Sequence, residues 1–130
     1  FDRANEKGYD KFTQIAANLA QVAKLPKDLR DDLNIFFLTH SEDSTDINGN
    51  RKIKAKTIGK MIDNTLTLEG LFSIVLFGKV NKNDDGVLQY GFETQNSGEN
   101  TCKSPMGMFE DLFIPNDLQF VKDCIDKYNK

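Results

Sequence analysis

The chain contains one histidine, and it follows an uninterrupted apolar run. Residues 34–42 read NIFFLTHSE, so Thr39, His40 and Glu42 place a hydroxyl, an imidazole and a carboxylate at the end of that run. An imidazole can exchange a proton near neutral pH, and carboxylates and hydroxyls can orient a ligand. These side chains are therefore candidate ligand contacts, although a single histidine is more often a packed, hydrogen-bonded residue.

Further along the chain, five cations lie within one stretch of ten residues. The formal net charge of -3 excludes an overall basic nucleic-acid binder, but it leaves room for a local basic patch. Flexible cationic loops suit phosphate backbones, whereas a solvated charged face is the usual alternative. The residues predicted to contact DNA are Arg51, Lys52, Lys54, Lys56 and Lys60.

Two stretches partly match a calcium-binding loop. Residues 81–92 (NKNDDGVLQYGF) have oxygen side chains at positions one, three and five and glycine at six, but Phe92 stands where a bidentate glutamate is needed. Asp46, Asn48 and Asn50 begin a weaker match. Both patterns favour plain turns, and with one histidine and no clustered cysteines the sequence predicts no metal site.

The two cysteines allow one disulfide, and their spacing does not decide whether it forms. Their low density favours a reduced pair. The alternative rests on Cys102 to Pro105 and Phe113 to Pro115, which resemble the cysteine-closed end of a type IV pilin. That resemblance implies a non-enzymatic structural subunit with a Cys102–Cys124 disulfide.

The elements that must position these groups follow from hydrophobic periodicity. Apolar residues at helical spacing from Tyr9 predict an amphipathic helix, and Pro26 restarts the chain after it. The near-continuous apolar run Leu33–Leu38 is typical of a strand covered on both faces in a parallel sheet, and residues 41–50 have the composition of a loop. A helix leading into a buried strand indicates an α/β fold.

The second half predicts a short helix at 57–64, a buried strand at 71–80 and a half-exposed strand at 87–94. The strands are expected to pair through the turn NKNDDG, and a final helix is expected to begin near Pro115 and Asn116. We expect one domain over residues 1–130. No apolar run is long enough to span a bilayer and no signal-peptide pattern is present, so a cytoplasmic protein without membrane contact is predicted.

Five stretches, taken in order, resemble the C-terminal half of a bacteriophage RecA-like P-loop ATPase of the single-strand annealing or recombination type. The resemblance implies a partial RecA-like α/β core, with a mostly parallel sheet, a C-terminal antiparallel hairpin and flanking helices. It also implies ATP and Mg²⁺ as cofactors, single-stranded DNA as partner and a homo-oligomer. The stretches are DLNIFFLTHSED, KIKAKTIGKMIDN, LEGLFSIVLFGKV, YGFETQNSGENTCKSPMGMF and IPNDLQFV.

On this resemblance, Thr39 and His40 lie where such proteins sense the γ-phosphate, with Glu42 also at the nucleotide. Residues 41–60 correspond to the DNA-contacting loop, and Lys103 would act on a neighbouring subunit's nucleotide. The sequence departs from the family in lacking G-x-x-x-x-G-K-[ST]. We therefore expect the Walker A and Walker B segments before Phe1, and no ATPase activity from this chain alone.

Overall fold

A computed structural model describes residues 9–56 and 68–130, with side chains described from Thr13 onward. Two α-helices and five strands form in these ranges, together with two short 3₁₀ helices, Leu25–Asp28 and Leu68–Leu71. Neither α-helix has the length and hydropathy needed to cross a membrane. The elements are α1 (Tyr9–Lys24), β1 (Ser41–Thr45), β2 (Arg51–Ala55), β3 (Phe77–Lys82), β4 (Leu88–Glu93), β5 (Phe113–Pro115) and α2 (Leu118–Tyr128).

Contacts between Cα atoms divide the chain into two compact units. Unit 1 comprises Phe1–Ser41 and Ala55–Leu71, and unit 2 comprises Glu42–Lys54 and Phe72–Lys130. This division into units does not test the expectation of a single domain over residues 1–130, which stays a prediction.

Helix α1 in unit 1 confirms the predicted amphipathic helix. Ala16 and Ala23 are buried at a spacing of seven residues, which returns to the same helical face. Pro26 then lies in the first turn of the 3₁₀ helix, where its missing N–H costs no hydrogen bond. The short helix predicted at 57–64 lies outside the described residues.

The predicted mostly parallel sheet is wrong. The described residues form two antiparallel sheets, β1–β2 and β3–β4–β5. Parallel pairing among them is limited to one bridge, between Ile53 and Asn100. The fold is therefore not a RecA-like core.

The predicted central strand Leu33–Leu38 is part of this correction. Residues 33–40 have no regular secondary structure, and all of them are exposed; Leu38 is 83% exposed. The strand that does form starts at Ser41, because a turn at residues 46–50 pairs the polar residues on either side of it. Hydrophobic composition predicted a buried strand, but the turn determined which residues pair.

The predicted pairing of two strands through the turn NKNDDG is confirmed for β3 and β4. Antiparallel β3 and β4 are in register from Phe77 opposite Glu93 to Lys82 opposite Leu88. The strand predicted at 71–80 is shifted, because only Val75 bridges before β3 begins. The other edge of β4 pairs with β5, which places Gly91 opposite Pro115.

Helix α2 completes unit 2. Its N-cap is Asp117, whose side chain accepts a hydrogen bond from Gln119 N at 2.8 Å, so the cap lies just beyond the predicted Pro115 and Asn116. Val121 of this helix is 1% exposed, and the core of the unit also contains Met108 and Ile114. This helix and β5 are the rigid elements on which the groove described below is built.

Candidate functional site

The predicted DNA-contacting loop is a β-hairpin over its described residues, and its cations face acidic partners. Arg51 Nη2 lies 2.9 Å from Asp43 Oδ2, and Lys54 Nζ lies 3.4 Å from Glu42 Oε1. Both acids lie on β1, across from the cations on β2. A phosphate would have to displace these carboxylates, so the hairpin carries less free positive charge than the sequence suggested.

For two other cations of the cluster, Lys52 and Lys56, the contacts are with backbone carbonyls rather than carboxylates. Lys52 Nζ donates to the carbonyl of Gly98 at 2.6 Å, which joins the hairpin to the loop after β4. The backbone N–H of Lys56 donates to the carbonyl of His40 at 2.7 Å. Lys60 lies outside the described residues. Of the predicted DNA contacts, Arg51 and Lys54 thus face carboxylates and Lys52 faces a backbone carbonyl.

The residues predicted to act on a nucleotide fall in both units of the chain. Thr39 and His40 belong to unit 1 and are exposed in the irregular segment before β1, whereas half-buried Lys103 belongs to unit 2. The backbone of Lys103 exchanges two hydrogen bonds with Val75, at 2.8 and 2.9 Å. Their roles stay predictions, but the parallel sheet that motivated them is absent from the described residues.

Both calcium-like stretches form hairpin turns. Asp46 Oδ1 accepts hydrogen bonds from the backbone N–H of Asn48 and Asn50, at 2.9 and 2.8 Å. The hydrogen bond from Asn50 N is the main reason that the pKa of Asp46 is lowered. In the second turn, Asn83 Oδ1 accepts from Val87 N at 2.8 Å. The side-chain oxygens of Asp46 and Asn83, which resembled calcium ligands, thus accept hydrogen bonds from the backbone.

No group of three or more histidine, cysteine or acidic side chains that could hold a metal ion occurs among residues 9–56 and 68–130. The ATP and Mg²⁺ expected from the resemblance are not tested by this finding, because the main residues expected to bind them, the Walker A and Walker B segments, were placed before Phe1. They remain predictions.

A partly buried polar network surrounds the end of β4. Glu93 accepts hydrogen bonds from Lys79 Nζ at 2.7 Å and from Asn100 Nδ2 at 2.5 Å. The next residue, Thr94, is 1% exposed and donates to the carbonyl of Asp111 at 3.0 Å. These contacts fix the path of the segment that leads from β4 to β5.

Both cysteines carry free thiols in this structure. Burial, and then the negative charge of Glu93, raises the pKa of Cys102 to about 11, so this thiol is protonated at neutral pH. Cys124 is half-buried on α2. A pilin-like disulfide between them stays a prediction.

Unit 2 contains a groove of about 480 Å³ between α2 and the segment leading into β5. From α2 come Phe120, Cys124 and Tyr128, spaced by four residues and therefore on one side of the helix. The two aromatic side chains are 39% and 46% exposed. Opposite them lie Gly107, Met108, Glu110, Asp111 and Ile114, and Lys127 completes the lining.

The groove combines an apolar floor with charged edges. Met108 and Ile114 are buried, 8% and 2% exposed, while Glu110 and Lys127 are exposed and their side chains lie 3.5 Å apart. An apolar floor provides burial, and polar groups at the edge orient a ligand. This arrangement can hold an apolar side chain from a binding partner.

Sequence analysis did not identify the groove. None of the residues that line it was among the predicted site residues. The four-residue spacing of Phe120, Cys124 and Tyr128 was the available signal, but a helix alone does not show which of two apolar stripes meets a sheet.

No protein family, curated protein or solved structure matches the chain.

Proposed function

We propose that unit 2 is a protein-interaction module that binds a short apolar segment of a partner in the groove beside α2. The observation that carries this proposal is the pair of partly exposed aromatic residues, Phe120 and Tyr128, beside a depression with a buried apolar floor. Aromatic side chains left partly in water can bury more apolar area when a partner binds.

The dimensions of the groove support this proposal. A volume of about 480 Å³ can hold a few side chains. Helix α2 and β5 hold Phe120 and Ile114 on regular elements, so little ordering of the protein is needed on binding. We therefore expect an affinity that depends mainly on apolar burial.

The test is a titration of the full chain, labelled with ¹⁵N, with the neutral peptide acetyl-Leu-Phe-Gln-Leu-Phe-amide. We expect amide shifts concentrated at residues lining the groove, and about tenfold weaker binding for Phe120→Ala and for Tyr128→Ala, since an aromatic anchor contributes about 1 to 2 kcal/mol. Tyr90→Ala is the matched control, because Tyr90 is an exposed aromatic residue on β4 that does not line the groove.

Binding that is unchanged by Phe120→Ala and Tyr128→Ala, in variants with native circular dichroism, would overturn the proposal. Loss of binding in Tyr90→Ala alone would place the peptide on the sheet instead.

Contact with single-stranded DNA remains a second candidate, supported by three cations on β2: Arg51, Lys52 and Lys54. Fluorescence anisotropy with an oligo-dT probe tests it. Neutralised phosphates would make the affinity fall as salt rises, and Arg51→Ala together with Lys52→Ala would reduce that slope. An affinity without salt dependence rules this candidate out. Recombination and oligomerisation depend on the same resemblance and stay predictions. The cytoplasmic location also stays a prediction.

The structural-subunit alternative has a separate test. Mass spectrometry of the intact, non-reduced protein distinguishes a Cys102–Cys124 disulfide from two free thiols by two hydrogen masses. A quantitative disulfide would favour this alternative.

A further inference from the structure

We infer that the groove prefers an apolar segment containing an arginine. This inference rests on the proposed function and adds the chemistry of the partner. The charged residues that line the groove are Glu110, Asp111 and Lys127. Because two are acidic and one is basic, the net charge of the lining is negative. A cationic ligand is therefore favoured over an acidic one.

Asp111 is the principal acidic group in this argument. Lys127 lies 3.5 Å from Glu110 and offsets part of that charge. Within residues 9–56 and 68–130, no ion pair involves the side chain of Asp111, while its backbone carbonyl accepts the hydrogen bond from Thr94. The backbone of Asp111 is therefore held by Thr94, and Asp111 is an exposed residue of the groove lining whose carboxylate forms none of these ion pairs.

The aromatic residues add a second preference for a cation. Phe120 and Tyr128 line the same groove, and a cation placed over an aromatic face is attracted by the electrons of the ring. Arginine suits this combination better than lysine, because its planar guanidinium can stack on a ring while its N–H groups bind a carboxylate. Its aliphatic stem can also pack on an apolar floor such as Met108.

The experiment compares three peptides that differ only at their central residue: acetyl-Leu-Phe-Gln-Leu-Phe-amide and its arginine and glutamate counterparts. We expect the arginine peptide to bind about fivefold more tightly than the glutamine peptide, and the glutamate peptide to bind less tightly than either. The Kd values are measured by NMR titration of the full chain at low salt, and 0.5 M NaCl should reduce the arginine preference.

Asp111→Asn should reduce the ratio of the affinities for the arginine and glutamine peptides from about five to about one to two, because the carboxylate assigned to the cation is removed. Asp84→Asn is the matched control, because Asp84 is an exposed carboxylate in the β3–β4 turn and does not line the groove. It should leave the ratio at about five.

The outcomes separate the inference from the proposed function. Equal binding of the arginine and glutamine peptides at the groove overturns the inference and leaves the interaction module intact. If none of the three peptides shifts a residue of the groove, both fail. The Asp111→Asn substitution removes the carboxylate assigned to the cation. An arginine preference that persists in this variant therefore also overturns the inference.

Discussion

The turns of the two hairpins, β1–β2 and β3–β4, have the same backbone hydrogen bonds, but different contacts stabilise the strands on either side of them. In the first turn, Asp46 N donates to Asn50 O at 2.9 Å and Gly49 N donates to Asp46 O at 3.0 Å. In the second, Asn83 N donates to Val87 O at 3.0 Å and Gly86 N donates to Asn83 O at 2.9 Å. The glycines have φ of 82° and 80°. Local chemistry thus produces the same turn twice.

The strands that leave these turns differ. In the first hairpin, exposed or half-exposed ion pairs join β1 to β2. In the second, β5 adds a third strand beside β4, and Gly91 in β4 and Thr94 just after it are buried. A turn can thus set the register of a hairpin, whereas resistance to unfolding depends on what packs against its strands. Four predictions test this difference, starting with the largest expected effect.

Gly91→Ala should destabilise the second hairpin by about 2 to 3 kcal/mol, because a Cβ at Gly91 would lie 2.5 Å from the carbonyl oxygen of Ile114 and against the ring of Phe113. Gly78→Ala on the adjacent strand is the control, since its Cβ would meet nothing within 4 Å. Hydrogen exchange at the amides of β4 and β5 measures both. Similar losses of stability for the two variants would mean that packing against β5 does not make this hairpin more sensitive to an added Cβ.

Thr94→Val should lower the free energy of unfolding by about 1 to 2 kcal/mol. The substitution keeps the shape of the side chain but removes the hydroxyl that donates to the carbonyl of Asp111 within a buried site. Thr45→Val, at the exposed end of β1, should change it by less than about 0.5 kcal/mol. Urea unfolding followed by circular dichroism measures the difference, and equal effects would contradict the contrast in burial.

Gly49→Ala and Gly86→Ala should cost similar amounts, about 1 kcal/mol each. Both glycines adopt a left-handed conformation that a Cβ disfavours, and neither introduced Cβ would meet an atom closer than 3.4 Å. Hydrogen exchange within each hairpin reports the local cost. A clearly larger cost at either turn would show that the two are not equivalent.

Acid should weaken the first turn selectively. The pKa of Asp46 is lowered by folding, so its contribution to stability is present above the ordinary carboxyl pKa of 3.8 and is lost as the pH falls through the lower folded value. The corresponding Asn83 does not titrate. NMR of both turns between pH 5 and 2 should show loss of the Asn50 N hydrogen bond first, and Asp46→Asn should remove that selectivity.

The Asp46→Asn variant retains Asp43 and Glu42, the carboxylates of the ion pairs between β1 and β2. A first turn that remains acid-sensitive after this substitution would assign the effect to the ion pairs.

Sequence patterns predicted the local elements better than their arrangement. The helix beginning at Tyr9, the NKNDDG turn and the final helix were confirmed, because each depends on residues close together in the chain. The strand at Leu33–Leu38 was wrong, since an apolar run indicates burial only if another element covers it. The same limit applies to the candidate site, where the pairing of Arg51 with Asp43 required knowing the hairpin register.

The sequence by itself determined two turns, because an Asp or Asn followed three residues later by glycine satisfies the backbone locally. It also determined two amphipathic helices. Only the tertiary structure decided that β5 pairs with β4 and that Phe120 and Tyr128 line a groove with Asp111. Those contacts join residues distant in the chain, and their stability comes from burial and shape, which periodicity within a single segment does not specify.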